Sequence, residues 1–273
     1  MAIKGYDSGI ETIQLYNNTV TLAFSPGNHR YSVTHNGQKI YGTVGVTTVV
    51  GVLDKPYLLQ WAVNQAVETV RERLASPTPI DEVETENLLK NASFAWRQKR
   101  DKAGDIGTIT HKWIEDYIRS KIEGKNYTPL LPENPVIKKA AQQFMAWEQE
   151  NVTRFVSTEQ KVYSLKYNYA GTCDFIYIDQ DNNFCLGDLK TSKHIYDTFP
   201  MQLAGYQYAL EEESMTWKHA KPLKFHKSTI VKIDKEEGKL VAKSYFNYKD
   251  HAVAFLSALK IYRYLRLKGG EKM

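Results

Sequence analysis

The 273-residue chain holds only two cysteines, Cys173 and Cys185. Two thiols are too few for a disulfide scaffold or an all-cysteine metal site, and they fit a reducing compartment in which they serve as packing. No apolar run approaches the ~20 residues needed to cross a bilayer. The opening MAIKGYDSGI lacks the basic and apolar pattern of a secretory signal, so a cytoplasmic protein with no membrane partner is expected. A G-x-x-x-x-G-K-[ST] phosphate loop is missing as well: Lys190-Thr191 lacks the glycines and GVTTVVGV lacks the lysine. There is no low-complexity linker and no clear internal repeat. What remains is 42% hydrophobic and 25% charged, enough to bury the core of one large domain or two small ones. The net charge of +5 permits a polyanionic partner without requiring one.

Hydrophobic periodicity gives the organisation. HRYSVTHNGQKIYGTVGVTTVV, residues 29–50, alternates around Asn36-Gly37, a strong hairpin signal. A helix is predicted over 56–74, with Leu59, Val63, Ala66 and Val70 at helical spacing. SPTPIDE, with its two prolines, marks a boundary. It predicts a β-hairpin plus helix module over 1–80, packed on a core over 81–273. Beyond it the pattern reads as helices at 83–103, 106–122 and 135–150, then strands at 154–165, 170–178 and 184–191. DQDNN turns the chain between the last two strands. A helix at 199–212, strands at 225–233 and 239–248, and an amphipathic helix to about 267 complete it.

The stretch FCLGDLKTSK starts as a buried strand and ends in charge. Side chains alternate along a strand, so Asp188 and Lys190 share a face. Acid-x-lysine spacing recurs at Glu123/Lys125, Glu159/Lys161 and Glu237/Lys239, so the spacing by itself is background. Context makes it specific. AGTCDFIYI puts Asp174 on the preceding strand, and the short turn lets the two aspartates approach across an antiparallel pair. Neighbouring carboxylates repel unless a cation sits between them, which points to a divalent-metal site. A lysine on the same face would orient a water or stabilise charge on a phosphate, an arrangement suited to phosphodiester hydrolysis.

Upstream, His111, Ile114, Ile118 and Ile122 form one helical stripe, with Glu115 a turn after the histidine. A lone histidine on an apolar face is more often a hydrogen-bonded core residue; the aspartate pair elsewhere shifts the balance toward a ligand. Downstream, Phe199, Leu203, Tyr206 and Leu210 make a buried stripe, and Gln202 lies four residues before Tyr206. That pair is either ordinary packing or two polar tips facing the strand end. The basic run WRQKRDK is either a solvated face or a phosphate contact.

In order and spacing, GTITH with Glu115, Glu159 on a strand, GTCD ending at Asp174, GDLKTSK with Asp188 and Lys190, and QLAGY with Gln202 and Tyr206 resemble the RecB-like branch of the PD-(D/E)XK nuclease superfamily. The resemblance runs from about Arg97 to Leu210. HRYSVTHNGQKIYGTVGVTTVVGVLDKPYLLQWA also looks like the N-terminal region of bacteriophage exonucleases of this superfamily, and the histidine, aspartate and lysine pattern is similar to mitochondrial genome maintenance exonucleases. The resemblance implies an α/β (α+β) fold: a restriction-endonuclease-like core with a central mixed β-sheet flanked by helices, preceded by an N-terminal β-hairpin and helical extension. It implies Mg2+ or Mn2+ held by His111, Asp174, Asp188 and the backbone carbonyl of Leu189, with Lys190 positioning the attacking water. Glu115 and Glu159 would be outer contacts to that centre. Gln202, Tyr206, Thr191, Lys193, Arg97 and Arg100 would touch DNA, the first two alternatively supporting Lys190. Some relatives carry an iron-sulfur cluster, but Cys173 and Cys185 cannot supply four ligands.

The expected activity is that of a metal-dependent DNA exonuclease acting on single strands or DNA ends, in phage DNA replication, recombination or repair within the host cytoplasm. A separate helicase or single-strand-binding protein would be its partner. The alternatives are a flap or junction endonuclease of the same fold and a non-catalytic nucleic-acid-binding protein.

Overall fold

The computed structural model of the chain describes residues 9–53, 56–124 and 129–268, without the side chains of 56–58, 100–104 and 268. The chain divides into two compact units, residues 1–52 with 113–273 and residues 53–112. The larger unit opens with a four-stranded antiparallel sheet in the order β1 (Glu11–Leu15), β2 (Val20–Ser25), β3 (Arg30–His35), β4 (Gln38–Ile40). The β3–β4 hairpin turns at Asn36 and Gly37, whose φ angles of 48° and 80° are those the Asn-Gly pair favours. The first two strands went unanticipated. Their turn uses Tyr16, Asn17 and Asn18, all at positive φ. Leu15, Val20, Leu22 and Val33 point inward onto Tyr163 and Ala170, and this small core fixes the sheet against the rest of the unit.

The sequence predicted a strand running to Val50, and that expectation fails. β5 is only Val44–Gly45, and α1 (Val46–Val50) follows at once. Val46, Val49 and Val50 are the buried residues of α1, an i, i+3, i+4 set that suits a helix as well as alternation suits a strand.

The smaller unit holds α2 (Pro56–Leu74) and the first part of α3 (Glu82–Ile122). SPTPIDE lies between these two helices, so the boundary expected there falls within the unit. Asp81 Oδ1 accepts the Glu84 N–H at 2.7 Å, the first half of a capping box, and Arg73 pairs with Glu84 at 3.3 Å. The two helices expected at 83–103 and 106–122 are one helix of 41 residues. An interior glycine such as Gly104 costs about 1 kcal/mol against alanine, which the good helix formers around it offset.

Returning to the larger unit, α4 (Pro135–Asn151) precedes three strands, β6 (Arg154–Ser164), β7 (Tyr169–Ile178) and β8 (Phe184–Lys190). Then come α5 (Thr198–Ser214), β9 (Lys227–Ile233), β10 (Leu240–Tyr245) and α6 (Lys249–Lys268). Asn134 caps α4 by accepting the Val136 and Ile137 N–H groups, with Pro135 at the first helical position, where its missing N–H costs nothing. The central sheet runs β10-β9-β8-β7-β5, with β6 also on β7; β8–β9 and β5–β7 are parallel and the other pairs antiparallel. On one face Phe175, Tyr177, Cys185, Leu189, Val231 and Ile233 pack with Phe144 and Trp147 of α4 and with Ile114 and Ile118 of α3. Fully burying a residue such as Phe144 contributes about 1.5–3 kcal/mol. On the other face Ser228 Oγ donates to Gln207 Oε1 of α5 at 2.9 Å. The fold is therefore mixed α/β, a mixed sheet between helices with an N-terminal antiparallel sheet.

Candidate active site

The site lies where the central sheet splits. β6 pairs with β7 from residue 169 to residue 178 and so occupies one edge of it. The other edge is shared: β5 takes Tyr169 and Ala170, and β8 takes Phe175 to Ile178. Among the described residues, 171–174 thus have no ladder partner on that edge. The last β7–β8 pair is Phe175 with Gly187, and one more step along the register sets Asp174 opposite Asp188. There the strands part. Leu189, one residue further, donates its backbone N–H to Asp174 Oδ2 at 2.6 Å, so a carboxylate takes the place of a ladder carbonyl. An aromatic ring fills the fork: a Cβ added to Gly171 would stand 2.5 Å from Tyr206 Cε1, so only glycine lets the ring sit so close.

Asp188 is 1% exposed, and Lys190 Nζ lies 2.5 Å from its Oδ2. The same ammonium stands 5.3 Å from the centre of the Phe199 ring, so the lysine is held on two sides. Asp174 keeps part of its surface open. Burial raises its pKa, against the Lys190 charge and the Leu189 amide, which favour the carboxylate. On the far side of Asp174, the β6–β7 register passes from Thr158/Phe175 to Gln160/Cys173, which sets Glu159 opposite Asp174. Burial first, and then the Asp174 charge, push the Glu159 carboxyl up to about 7. Glu159 also has φ 51°, a left-handed backbone that costs a non-glycine residue about 1–3 kcal/mol. Three acids, Glu159, Asp174 and Asp188, therefore lie on three adjacent strands, the first two in register and the third one step past the last β7–β8 pair.

Among the described residues no three His, Cys, Asp or Glu side chains form a ready-made metal cage. Asp174 and Asp188 both neighbour the Lys190 ammonium and offer carboxylate oxygens. Hard oxygen donors suit Mg2+ or Mn2+, and Mg2+ commonly binds through one or two carboxylates plus water and substrate phosphate. The donor set fits such an ion.

The other anticipated residues are placed as follows. His111 is half-buried on α3 within the smaller unit. In its stripe Ile114 and Ile118 are fully buried, while Ile122 is 40% exposed. Glu115 pairs with Arg119 at 2.6 Å, and its charge adds to the upward shifts of Asp174 and Glu159. Gln202 and Tyr206 are buried, and Gln202 Nε2 donates to Tyr206 Oη at 2.7 Å, so neither presents a polar tip to solvent. Thr191 and Lys193 follow β8; Lys193 is exposed and its carbonyl accepts Lys232 Nζ at 3.1 Å. Arg97 is exposed on α3, its guanidinium near the Phe94 and Trp96 rings, and the Arg100 side chain lies outside the described residues.

Sequence reasoning missed two members of the site. Tyr31 Oη bonds Thr172 Oγ1 at 3.0 Å, tying the N-terminal sheet to the open edge of β7. Gly171 makes the room for Tyr206, and the glycine in GTCD was the one signal that pointed to such a close approach.

No protein-family model matches the chain. No curated protein matches it either. Among solved structures, SSO0001 is 15% identical, with 75% of this chain and 86% of that one covered and a TM-score of 0.32. A protein from Eubacterium rectale, provisionally designated an exonuclease, is 12% identical, with 62% of this chain and 69% of that one covered and a TM-score of 0.37.

Proposed function

We propose that the chain is a metal-dependent nuclease of the PD-(D/E)XK type, a DNA exonuclease acting on single strands or ends. The observation that carries this reading is the placement of Asp174 and Asp188 just past the last β7–β8 pair, with Lys190 Nζ 2.5 Å from Asp188 and its charge acting on Asp174. Asp174 and Asp188 would hold Mg2+ or Mn2+, with the Leu189 carbonyl as a further ligand. When bound, such an ion lowers the pKa of water and polarises a phosphoryl oxygen. The protein does the rest. Lys190, held by Asp188 and Phe199, orients the attacking water and offsets the negative charge that grows on the phosphate as the phosphodiester bond breaks. The Leu189 amide fixes the rotamer of Asp174. Glu115 and Glu159 add negative charge around the pair. Gln202 and Tyr206, buried and bonded together, brace the strand end that carries Lys190. Thr191, Lys193, Arg97 and Arg100 are the proposed contacts to the DNA backbone.

The test follows 5′- and 3′-labelled linear single strands beside a circular single strand, in Mg2+, Mn2+ or EDTA. Wild type is compared with Asp188→Ala and Lys190→Met. An exonuclease consumes only the linear strands, and only with metal. Asp188→Ala abolishes this, and Lys190→Met slows it by about 100- to 1,000-fold, the usual effect of removing one charge-stabilising donor. Cutting of the circle moves the assignment to an endonuclease. Binding without hydrolysis in either metal moves it to a binding protein, and full activity in Asp188→Ala would sink the site.

A further inference from the structure

The N-terminal sheet has a second face that its own core does not use. Its pairings set Ala23 against Ser32, Ser25 against Arg30 and Thr34 against Lys39, and one further step sets Ser32 against Tyr41. These residues alternate with the inward-facing Leu22, Val33 and Ile40, so they form the outer face. That face carries no carboxylate among the described residues. Glu11, the one acid between residues 9 and 45, belongs to the inward set and pairs with Lys161 at 3.0 Å. Instead the outer face presents Arg30, Lys39, serine and threonine hydroxyls, and a tyrosine ring. Tyr41 is 76% exposed, and Lys39 Nζ lies 5.3 Å from its ring centre. A groove of about 350 Å³ runs across this surface, lined by Ser25, Arg30, Ser32, Lys39 and Tyr41 among others.

The groove is joined to the split in the central sheet. From Tyr41 the chain passes through Thr43 into β5, which pairs with β7 at Tyr169 and Ala170. Ala170 is four residues from Asp174, ~13 Å along a strand. Tyr31 also lines the groove, and its hydroxyl reaches Thr172, two residues before Asp174. An exposed ring beside Lys39, with Arg30 on the same face and hydroxyl donors around it, suits a partner with flat bases and a phosphate backbone. Ile10 and Ile40 also line the groove, but its polar side chains are all cationic or hydroxyl-bearing, without an acid that would repel phosphate.

We propose that a single-stranded nucleic acid lies across the outer face of β2–β4, with phosphates on Arg30 and Lys39 and a base stacked on Tyr41, and leads from there toward Asp174. This deepens the nuclease reading and rests on it for the direction of the strand. The test uses the full chain in EDTA, with a fluorescein-labelled oligodeoxythymidine of about 20 nucleotides, longer than one such site. Anisotropy is followed across a salt series for wild type, the double variant Arg30→Glu/Lys39→Glu, and Tyr41→Ala. The double variant should bind roughly tenfold more weakly or worse, and its log K against log salt slope should be shallower by about 1.4, two phosphate contacts at about 0.7 each. Tyr41→Ala should weaken binding by about 5- to 150-fold, the range for one lost base stack. Melting temperatures should stay at the wild-type value. Unchanged affinity and slope in both variants overturns the proposal, as does equal binding of a duplex of the same length. Concentration-dependent self-association that the double variant abolishes, with the oligonucleotide still bound, would instead give the face to a second copy of the chain. Hydrolysis of bis(p-nitrophenyl) phosphate by wild type in Mn2+ checks the catalytic reading separately. A wild type that binds the strand through this face but leaves that ester intact keeps the groove and loses the nuclease.

Discussion

Asp174 Oδ2 accepts the Leu189 N–H at 2.6 Å, and that bond spans the point where β7 and β8 separate. The carboxylate is thus a candidate metal ligand and also the cap on a backbone donor that the split releases. The two roles are separable by substitution. Asp174→Asn keeps an acceptor for the amide and removes the charge whose burial raises the pKa, so its stability should match or exceed wild type. Asp174→Ala leaves the Leu189 N–H unsatisfied and should cost about 1–3 kcal/mol. Both should abolish metal-dependent cleavage. Urea melts and single-turnover assays read the two effects, and an Asp174→Asn protein that cuts DNA at the wild-type rate would remove Asp174 from the chemistry.

Much of this site was legible because it is built locally. Strands β6, β7 and β8 follow the alternation of their sequences, and DQDNN fixes an antiparallel turn that brings Asp174 and Asp188 together. The split itself was not legible, since it depends on where β5 joins β7, a pairing of Val44 with Tyr169 across 125 residues of sequence. Val44 to Val50 also satisfied both helical and strand periods, and packing decided between them. Gln202 and Tyr206 were correctly placed four apart on one side of a helix, but only Gly171 opposite them determines that this side is buried. Glu159's left-handed backbone leaves no mark in the sequence at all. The β1–β2 hairpin did leave one, in Asn17-Asn18 between two alternating runs, because asparagine tolerates positive φ.

Because Tyr206 occupies the space where a Gly171 side chain would be, Gly171→Ala should destabilise the protein by about 1–3 kcal/mol through overpacking. Replacing the ring relieves the clash, so in Gly171→Ala/Tyr206→Leu the two costs should add to less than their sum. Tyr206→Phe should give no such relief, since the ring stays where it is. A double-mutant cycle by chemical denaturation measures the coupling. Strict additivity with leucine would mean that β7 shifts to accommodate the methyl group and that Tyr206 does not set the width of the fork.

Acid stability should depend on the far end of the same hairpin. At the β7–β8 turn, Asp179 Oδ1 accepts the Asp181 and Asn183 N–H groups, while Oδ2 lies 2.9 Å from Lys227 Nζ. Burial pushes the Asp179 carboxyl up, but Lys227, the Asn183 amide and the Cys185 thiol outweigh it and hold the pKa at about 2, below its ordinary 3.8. A depressed carboxylate pKa stabilises the fold above the unfolded value and loses that contribution as pH falls through the folded one. The difference is worth about 2 kcal/mol, present above pH ~4 and lost toward pH ~2. Asp179→Asn keeps the backbone acceptor and removes the charge. It should therefore lie about 2 kcal/mol below wild type in urea melts at pH 6, with the gap closing as the pH approaches 2. Stability curves that run parallel across that range would show that the charge of Asp179 does not hold the turn, leaving its backbone hydrogen bonds to do so.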